Sequence, residues 1–126
     1  MIPVERKKAL DTMIDKPYEY GARDCLQVVL TALGDTAPRE FRDVSVENYV
    51  EAFDDPQEAC EFLAEAIRHY CRQVPAPAYG DLVIIELVGL VGVYVGNGHF
   101  MTALVDKGVK VLPLLKGATF WRLRDG

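Results

Sequence analysis

A cysteine that directly follows an aspartate is the first feature of this chain that could do chemistry. Asp24 is a residue type that caps helices, and the nine residues after it, 25–33, are apolar nearly all round. This pattern predicts a buried helix that begins at Cys25 and stops at Gly34. Unpaired N–H groups and the helix dipole favour a thiolate there and can stabilise an oxyanion. Cys25 is therefore a candidate nucleophile, although a buried core cysteine fits the local pattern as well.

The other cysteines and one histidine fit structural roles. Cys60 and Cys71 lie eleven residues apart in a predicted helix, so they share one stripe about 16 Å apart along the axis and cannot bond to each other there. We expect both to be small core residues. With three cysteines and no CxxC pair, the sequence predicts no zinc site and a reducing compartment. His69 is expected on the solvent face of the same helix.

The first half of the chain reads as helical. Residues 3–14 have the spacing of an amphipathic helix with Pro3 as its first residue and Pro17 beyond its end. Ser45 is a possible cap for a short helix. Asp55, followed by proline and by Glu58 at the capping-box position, predicts a helix that runs to about residue 73.

The second half reads as strands. Runs rich in β-branched residues alternate with glycine-containing turns. The predicted strands are 82–87, 90–95, 99–105, 109–113 and 119–123. Helices followed by an antiparallel meander indicate an α+β fold in which a helical layer packs on a five-stranded sheet.

Composition narrows the classes of function. The 126 residues fit a single domain spanning 1–126, and the net charge of −5 argues against nucleic-acid binding. The longest apolar stretch, 82–95, is interrupted by Glu86 and is too short for a membrane span. The N-terminus has no apolar core of a secretory signal. Nothing in the sequence indicates a cofactor.

Two segments carry a resemblance to a known superfamily. The first is Pro17-Tyr18-Glu19-Tyr20-Gly21-Ala22-Arg23-Asp24-Cys25. The second is Gly80-Asp81-Leu82-Val83 followed by Leu90-Val91-Gly92-Val93-Tyr94-Val95-Gly96-Asn97-Gly98. Together, and in this order, they resemble the NlpC/P60-like hydrolases of the papain type. The resemblance implies a papain-like α+β fold in which Cys25 occupies the position of the nucleophile.

The chain departs from the family pattern at the position of the catalytic base. The resemblance puts Leu90 where the catalytic histidine stands, and the third catalytic position falls near Thr102. Leucine cannot accept or donate a proton, so a contribution of typically about 10²–10⁴-fold to the rate is missing unless another residue supplies it.

His99 is the substitute base that the sequence offers. A two-residue turn would pair Gly96 with His99 and put His99 on the face of Leu90, about 20 Å further along the hairpin. A three-residue turn would turn His99 to the other side and bring Thr102 to the face of Leu90. Either register predicts a surface residue at the hairpin tip, with a catalytic role for His99 as the alternative.

Several further residues have a structural and a functional interpretation. Asp24 is most simply a helix cap, with the orientation of a catalytic partner as the sharper alternative. Tyr18 and Tyr20 are expected to cover the Cys25 helix, although they could line a substrate groove. Asp81 is expected in a turn that leads into the first predicted strand, and a role as general base is the alternative.

The last strands of the chain resemble one group within this superfamily. Val109-Lys110-Val111-Leu112-Pro113-Leu114 and Ala118-Thr119-Phe120-Trp121-Arg122-Leu123 resemble the endings of short phage-encoded members in which the hairpin histidine is also typically missing. This resemblance implies a catalytically inactive structural protein of a bacteriophage tail tip or baseplate. It would be made in the bacterial cytoplasm, reside in the virion and contact other tail proteins.

Two other functions stay open at this point. An active cysteine peptidase or amidase would cleave peptidoglycan stem peptides through Cys25 and take its base from elsewhere in the chain or from a neighbouring subunit. A small cytoplasmic binding module unrelated to phage is the third possibility. The nearest imidazole to the Cys25 sulfur is the observation that best separates an enzyme from a structural protein.

Overall fold

A computed structural model describes residues 3–19, 23–39, 41 and 55–124 of the protein. Within these residues three helices pack on one face of a six-stranded antiparallel open sheet, so the α+β prediction is confirmed. The helices are α1 (Val4–Met13), α2 (Cys25–Leu33) and α3 (Pro56–Tyr70). The helix predicted to start at Ser45 falls outside the described residues. No helix in the described part of the chain is long and apolar enough to cross a membrane.

Helix α2 begins and ends where the sequence predicts. The Asp24 side chain accepts a hydrogen bond from the Gln27 backbone N–H at 3.1 Å and caps the first turn. Gly34 follows the last turn with φ 54°, a left-handed value that glycine adopts at little cost. An added Cβ at Gly34 would lie 2.5 Å from Nε of Arg6 in α1, so the flexible Arg6 side chain would have to move.

Helix α1 differs slightly from its predicted bounds. Pro3 precedes the helix as its cap instead of forming the first turn, and its carbonyl accepts the N–H groups of Arg6 and Lys7. The helix ends at Met13 because Asp15 adopts φ 65°, before Pro17 is reached. Beyond it, the backbone of Asp15 and Lys16 bonds to Val109 and covers part of a sheet edge.

The predicted extension of the third helix to residue 73 is wrong. Helix α3 ends at Tyr70, and the following residues form strand β1 (Cys71–Val74), so the sheet has six strands and not five. Val74 precedes Pro75, a position that disfavours helical dihedrals. The strand is completed by pairing with the last strand of the chain, from Cys71 opposite Leu123 to Val74 opposite Phe120.

The sheet is not a simple meander. Its remaining strands are β2 (Leu82–Ile85), β3 (Leu90–Gly96), β4 (His99–Leu104), β5 (Gly108–Pro113) and β6 (Thr119–Leu123). The spatial order is β1-β6-β2-β3-β4-β5. Strand β6 therefore returns across the sheet to lie between β1 and β2, and only β2 to β5 follow one another as a meander.

The hairpin of β3 and β4 combines both predicted registers. Asn97 and Gly98 form a two-residue turn with positive φ, and Gly96 pairs with His99. A β-bulge then shifts the register, so that Tyr94 pairs with Phe100 and Val93 with Met101. Beyond the bulge, the strands therefore follow the register predicted for the three-residue turn.

Apolar side chains are buried on both faces of the sheet. The larger cluster lies between the helices and the sheet and includes Leu26, Leu63 and Met101, all with no exposed surface. A smaller cluster on the other face centres on Val83, Ile85 and Phe100. The segment between β5 and β6 contributes Leu114 and Ala118 to that smaller cluster.

Candidate functional site

The Cys25 thiol lies at the N-terminus of α2, as the sequence predicts, but it is enclosed. Cys25 is the first residue of the helix and is only 4% exposed. Its capping neighbour Asp24 is 1% exposed and directs its carboxylate to the backbone of the first turn. The first-turn N–H groups and the helix dipole both favour negative charge at this end of the helix.

Strand β4 supplies two polar atoms next to the sulfur. The Cys25 Sγ lies 3.9 Å from Thr102 Oγ1 and 3.7 Å from the Ala103 carbonyl oxygen. Thr102 is fully buried and donates its own hydroxyl hydrogen to the Val91 carbonyl at 2.9 Å. Thr102, which the resemblance put near the third catalytic position, is thus a direct neighbour of the thiol. Its hydroxyl already bridges β4 to β3.

A second thiol is the main influence on the protonation of Cys25. The side chain of Cys60, in the second turn of α3, lowers the pKa of the Cys25 thiol through a hydrogen bond, while burial opposes this effect. The same hydrogen bond, together with burial, raises the pKa of Cys60. Cys60 therefore keeps its proton and donates it toward the Cys25 sulfur. The described cysteines are all free thiols.

The two thiols share a cavity of about 310 Å³ with Leu90. Its remaining lining residues are Tyr18, Gln57, Val88, Gly89, Ala103, Leu104 and Val105. A second cavity of about 270 Å³ borders Cys60 on the side of α3 and has Gln57, Gly89 and Leu90 in common with the first. Tyr18, expected to cover the Cys25 helix, is half-buried against the main core and also forms part of this cavity wall. Tyr20 falls outside the described residues.

Neither histidine of the chain lines either cavity. His99 stands at the tip of the hairpin, where its Nδ1 lies 2.8 Å from the Asn97 carbonyl oxygen. It is four residues before Ala103, which is about 13 Å along a strand. His69 is exposed near the end of α3, nine residues after Cys60 and so on the opposite side of the helix. The sequence-predicted candidates Cys25 and His99 are therefore not brought together.

Asp81 belongs to a different place in the fold. It is 5% exposed and binds the Arg122 guanidinium with both oxygens, at 2.8 and 2.7 Å, while it also accepts the Ala78 N–H at 2.7 Å. These bonds join the start of β2 to β6. Asp81 does not line the cavity of Cys25, so its local role is to hold two strands together.

Cys60 is the site residue that sequence reasoning missed. Its position on α3 next to Ala59, Leu63 and Ile67 indicates the buried face of the helix. No spacing in the sequence indicates that α3 packs its Cys60 against the first turn of α2. The described residues contain no group of three or more histidine, cysteine or acidic side chains that could hold a metal ion.

Comparison with family models, with curated proteins and with solved structures found no match to this chain. The chemistry open to the site follows from its own geometry. That geometry is a buried dithiol at a helix N-terminus, in a mostly apolar cavity whose described lining contains no imidazole.

Proposed function

We propose that this chain is a structural component of a bacteriophage tail tip or baseplate, descended from an NlpC/P60-like peptidoglycan hydrolase with a papain-like fold. The observation that carries the proposal is that Leu90, a residue without an ionisable group, is among the residues that line the cavity of Cys25. Leu90 stands at the position that the resemblance gives to the catalytic histidine, and it packs with its strand partner Ile85 in the apolar cluster on the sheet face away from the helices.

The consequence for catalysis follows from the chemistry of the neighbours. Thr102, the Ala103 carbonyl and the Cys60 thiol adjoin the sulfur, and none of them takes up a proton near neutral pH. A cysteine hydrolase needs a group that protonates the leaving amine. A scaffold with the nucleophile but without this group is best explained as one retained for its shape.

The surface beside the cavity supports a role in assembly. Leu87 is 92% exposed, Val105 is 66% exposed and Val88 is 52% exposed. Val88 and Val105 line the mouth of the Cys25 cavity, and Leu87 precedes Val88 in the same turn. Clustered exposed apolar side chains are typical of protein–protein contacts, so we propose that neighbouring tail proteins cover this rim.

The proposal is tested on phage particles produced from the genome that encodes the chain. Induced phage particles are purified, their proteins are identified by mass spectrometry, and particles from a deletion strain are imaged. We expect the chain in intact virions, and defective tails in the deletion strain that a Cys25→Ala copy repairs as well as the unchanged gene. Absence from virions, or intact infectious particles after the deletion, would contradict the proposal.

One observation favours the alternative of an active peptidase or amidase that cleaves peptidoglycan stem peptides. Cys25 sits at a helix N-terminus with a lowered thiol pKa, as an activated nucleophile would. Its base would then come from a neighbouring subunit. Release of stem-peptide fragments from purified peptidoglycan by the unchanged protein, and none by Cys25→Ala, would establish this activity. Equal results for the two proteins would exclude it.

A further inference from the structure

We propose that Cys25 and Cys60 form a dithiol site that a small-molecule disulfide oxidises to an internal disulfide bond between α2 and α3. The inference concerns the chemistry of the two thiols and holds for a tail protein and for a hydrolase alike. It therefore does not rest on the proposed function.

The geometry that supports the proposal is the meeting of two helices at one cavity. Cys25 opens α2, Cys60 lies in the second turn of α3, and each thiol is the largest influence on the pKa of the other. Both side chains line the cavity of about 310 Å³, which gives a small reagent a place next to the sulfurs. Cys71 lies in β1 and lines neither that cavity nor the one beside it, so the site has two thiols and not three.

The two thiols differ in a way that assigns them separate roles. Cys25 has the lowered pKa and the helix N-terminus, so it is the thiolate that attacks first. Cys60 is held as a thiol by its hydrogen bond to Cys25. Once Cys25 is capped by a mixed disulfide, the largest cause of the raised Cys60 pKa is gone, so Cys60 loses its proton more readily than before.

The reaction proceeds in two displacements. The Cys25 thiolate attacks one sulfur of the disulfide, forms a mixed disulfide and expels one thiolate, which takes up a proton. Cys60 then loses its proton to solvent, attacks the Cys25 sulfur and expels the second thiolate. The two protein thiols lose two electrons and two protons in total, and the reagent is reduced to two thiols.

The test treats the native full-length protein with bis(2-hydroxyethyl) disulfide, a small uncharged reagent, and follows intact mass and digested peptides. We expect a product lighter by two hydrogens with a peptide that links Cys25 to Cys60. Cys71→Ala, the matched control, should give the same product. Cys60→Ala should stop at one 2-hydroxyethylthio adduct, the mixed disulfide on Cys25, and Cys25→Ala should give no internal disulfide.

Several results would overturn the proposal. They are a stable mixed disulfide on the unchanged protein, a bond that includes Cys71, or no reaction in the native state while the urea-unfolded chain reacts. Circular dichroism of each variant checks its folding. The linked peptide is sought in the unchanged protein first, so the decision does not depend on a variant that fails to fold.

Discussion

Leu90 lines the cavity of Cys25 at the position that the resemblance gives to the catalytic histidine. We predict that Leu90→His raises the alkylation rate of Cys25 by iodoacetamide at pH 7 by about tenfold or more, because the resemblance puts the base at this position and an imidazolium in the cavity lining favours the thiolate. The rate is measured from pH 5 to 9 by mass spectrometry. The variant should show an additional titration near the ordinary pKa of histidine.

Leu90→Gln is the matched control for this prediction, because it introduces a polar group of similar size without an imidazole. The control should keep the pH profile of the unchanged protein. If Leu90→His and Leu90→Gln react alike, Leu90 does not occupy the position of a base toward Cys25, and the resemblance at this position loses its geometric support.

The buried Cys71 thiol leads to a separate prediction about the unfolding free energy at high pH. Burial raises the pKa of the Cys71 thiol from 9.0 to about 11. The pKa of Cys71 is higher in the folded state than in the unfolded state. The protonated thiol therefore contributes its full share of the unfolding free energy below pH 9, and this share is lost as pH rises toward 11. The difference of about two pKa units corresponds to about 2–3 kcal/mol of unfolding free energy. Urea unfolding from pH 8 to 11 should show a decline that is smaller by this amount in Cys71→Ala; equal declines would contradict it.

At the residue scale, local chemistry was the part that the sequence could predict. The Asp24 cap, the helix start at Cys25 and the stop at Gly34 depend on neighbours within one or two turns, and the structure confirms them. The contact of Cys60 with Cys25 depends on how α3 packs on α2. The position of Thr102 beside the sulfur depends on a bulge in the hairpin. Neither has a signature at short range.

At the element scale, the strands of the second half were predictable because their turns are marked by glycine. The run 119–123 matches β6 in full. Strand β1 was missed because Cys71 to Val74 continue the helical pattern of α3, and only pairing with β6 makes them extended. That pairing joins residues about fifty positions apart, and no local preference encodes it.

The junction of β2 and β6 depends on the ion pair of Asp81 and Arg122. Asp81 is buried, whereas Arg122 remains 42% exposed at its side chain, so the pair is screened only in part. We predict that Asp81→Ala lowers the unfolding free energy by about 1–3 kcal/mol, since it also leaves the Ala78 N–H without its acceptor. Urea unfolding near neutral pH measures the change.

Lys110→Gln is the control for the Asp81 prediction. Lys110 pairs with Asp15 at 2.7 Å, but the Asp15 side chain is 71% exposed. We expect this substitution to change the unfolding free energy by less than about 0.5 kcal/mol. Equal effects of the two substitutions would show that Asp81 does not join β2 to β6 as described.

Oxidation of the dithiol site between α2 and α3 is predicted to change the stability of the folded protein. A Cys25–Cys60 bond would close a loop between residues 35 positions apart, which should stabilise the folded state by about 2–4 kcal/mol. The urea midpoint of the oxidised protein should rise and return when dithiothreitol is added, while Cys60→Ala should not respond. A lower midpoint after oxidation would mean that the bond strains the packing of the two helices.

At the scale of the whole molecule, the sequence predicted the helical layer on the sheet but not the second apolar cluster. Alternation along β2 sends Leu82 and Ile84 to the helices, and Val83 and Ile85 to the other face. Both pairs of side chains are buried. The continuous apolar run in the sequence therefore did not indicate which face of the strand packs against the helices. The segment that follows β5 covers part of the second face, and this long-range placement has no local signal.

The exposed apolar rim of Leu87, Val88 and Val105 yields a prediction about assembly. We predict that Leu87→Asp combined with Val105→Asp leaves the melting temperature unchanged, because both side chains are already in solvent. Under the proposed role in a phage tail, incorporation into virions should fall by about tenfold or more, because a charge buried in a protein interface is costly. Quantitative mass spectrometry of purified particles, with each variant as the only copy of the gene, measures the ratio of this chain to the major tail protein.

Val4→Asp is the matched control for the rim, and it decides what the rim result means. Val4 is 62% exposed, comparable to Val105, but it lies at the start of α1 and lines neither cavity at Cys25. A charge at Val4 should therefore leave incorporation unchanged. If both variants lose incorporation equally, the effect comes from the added negative charge on an already acidic chain. If neither loses it, the tail contacts lie elsewhere and the rim has no part in assembly.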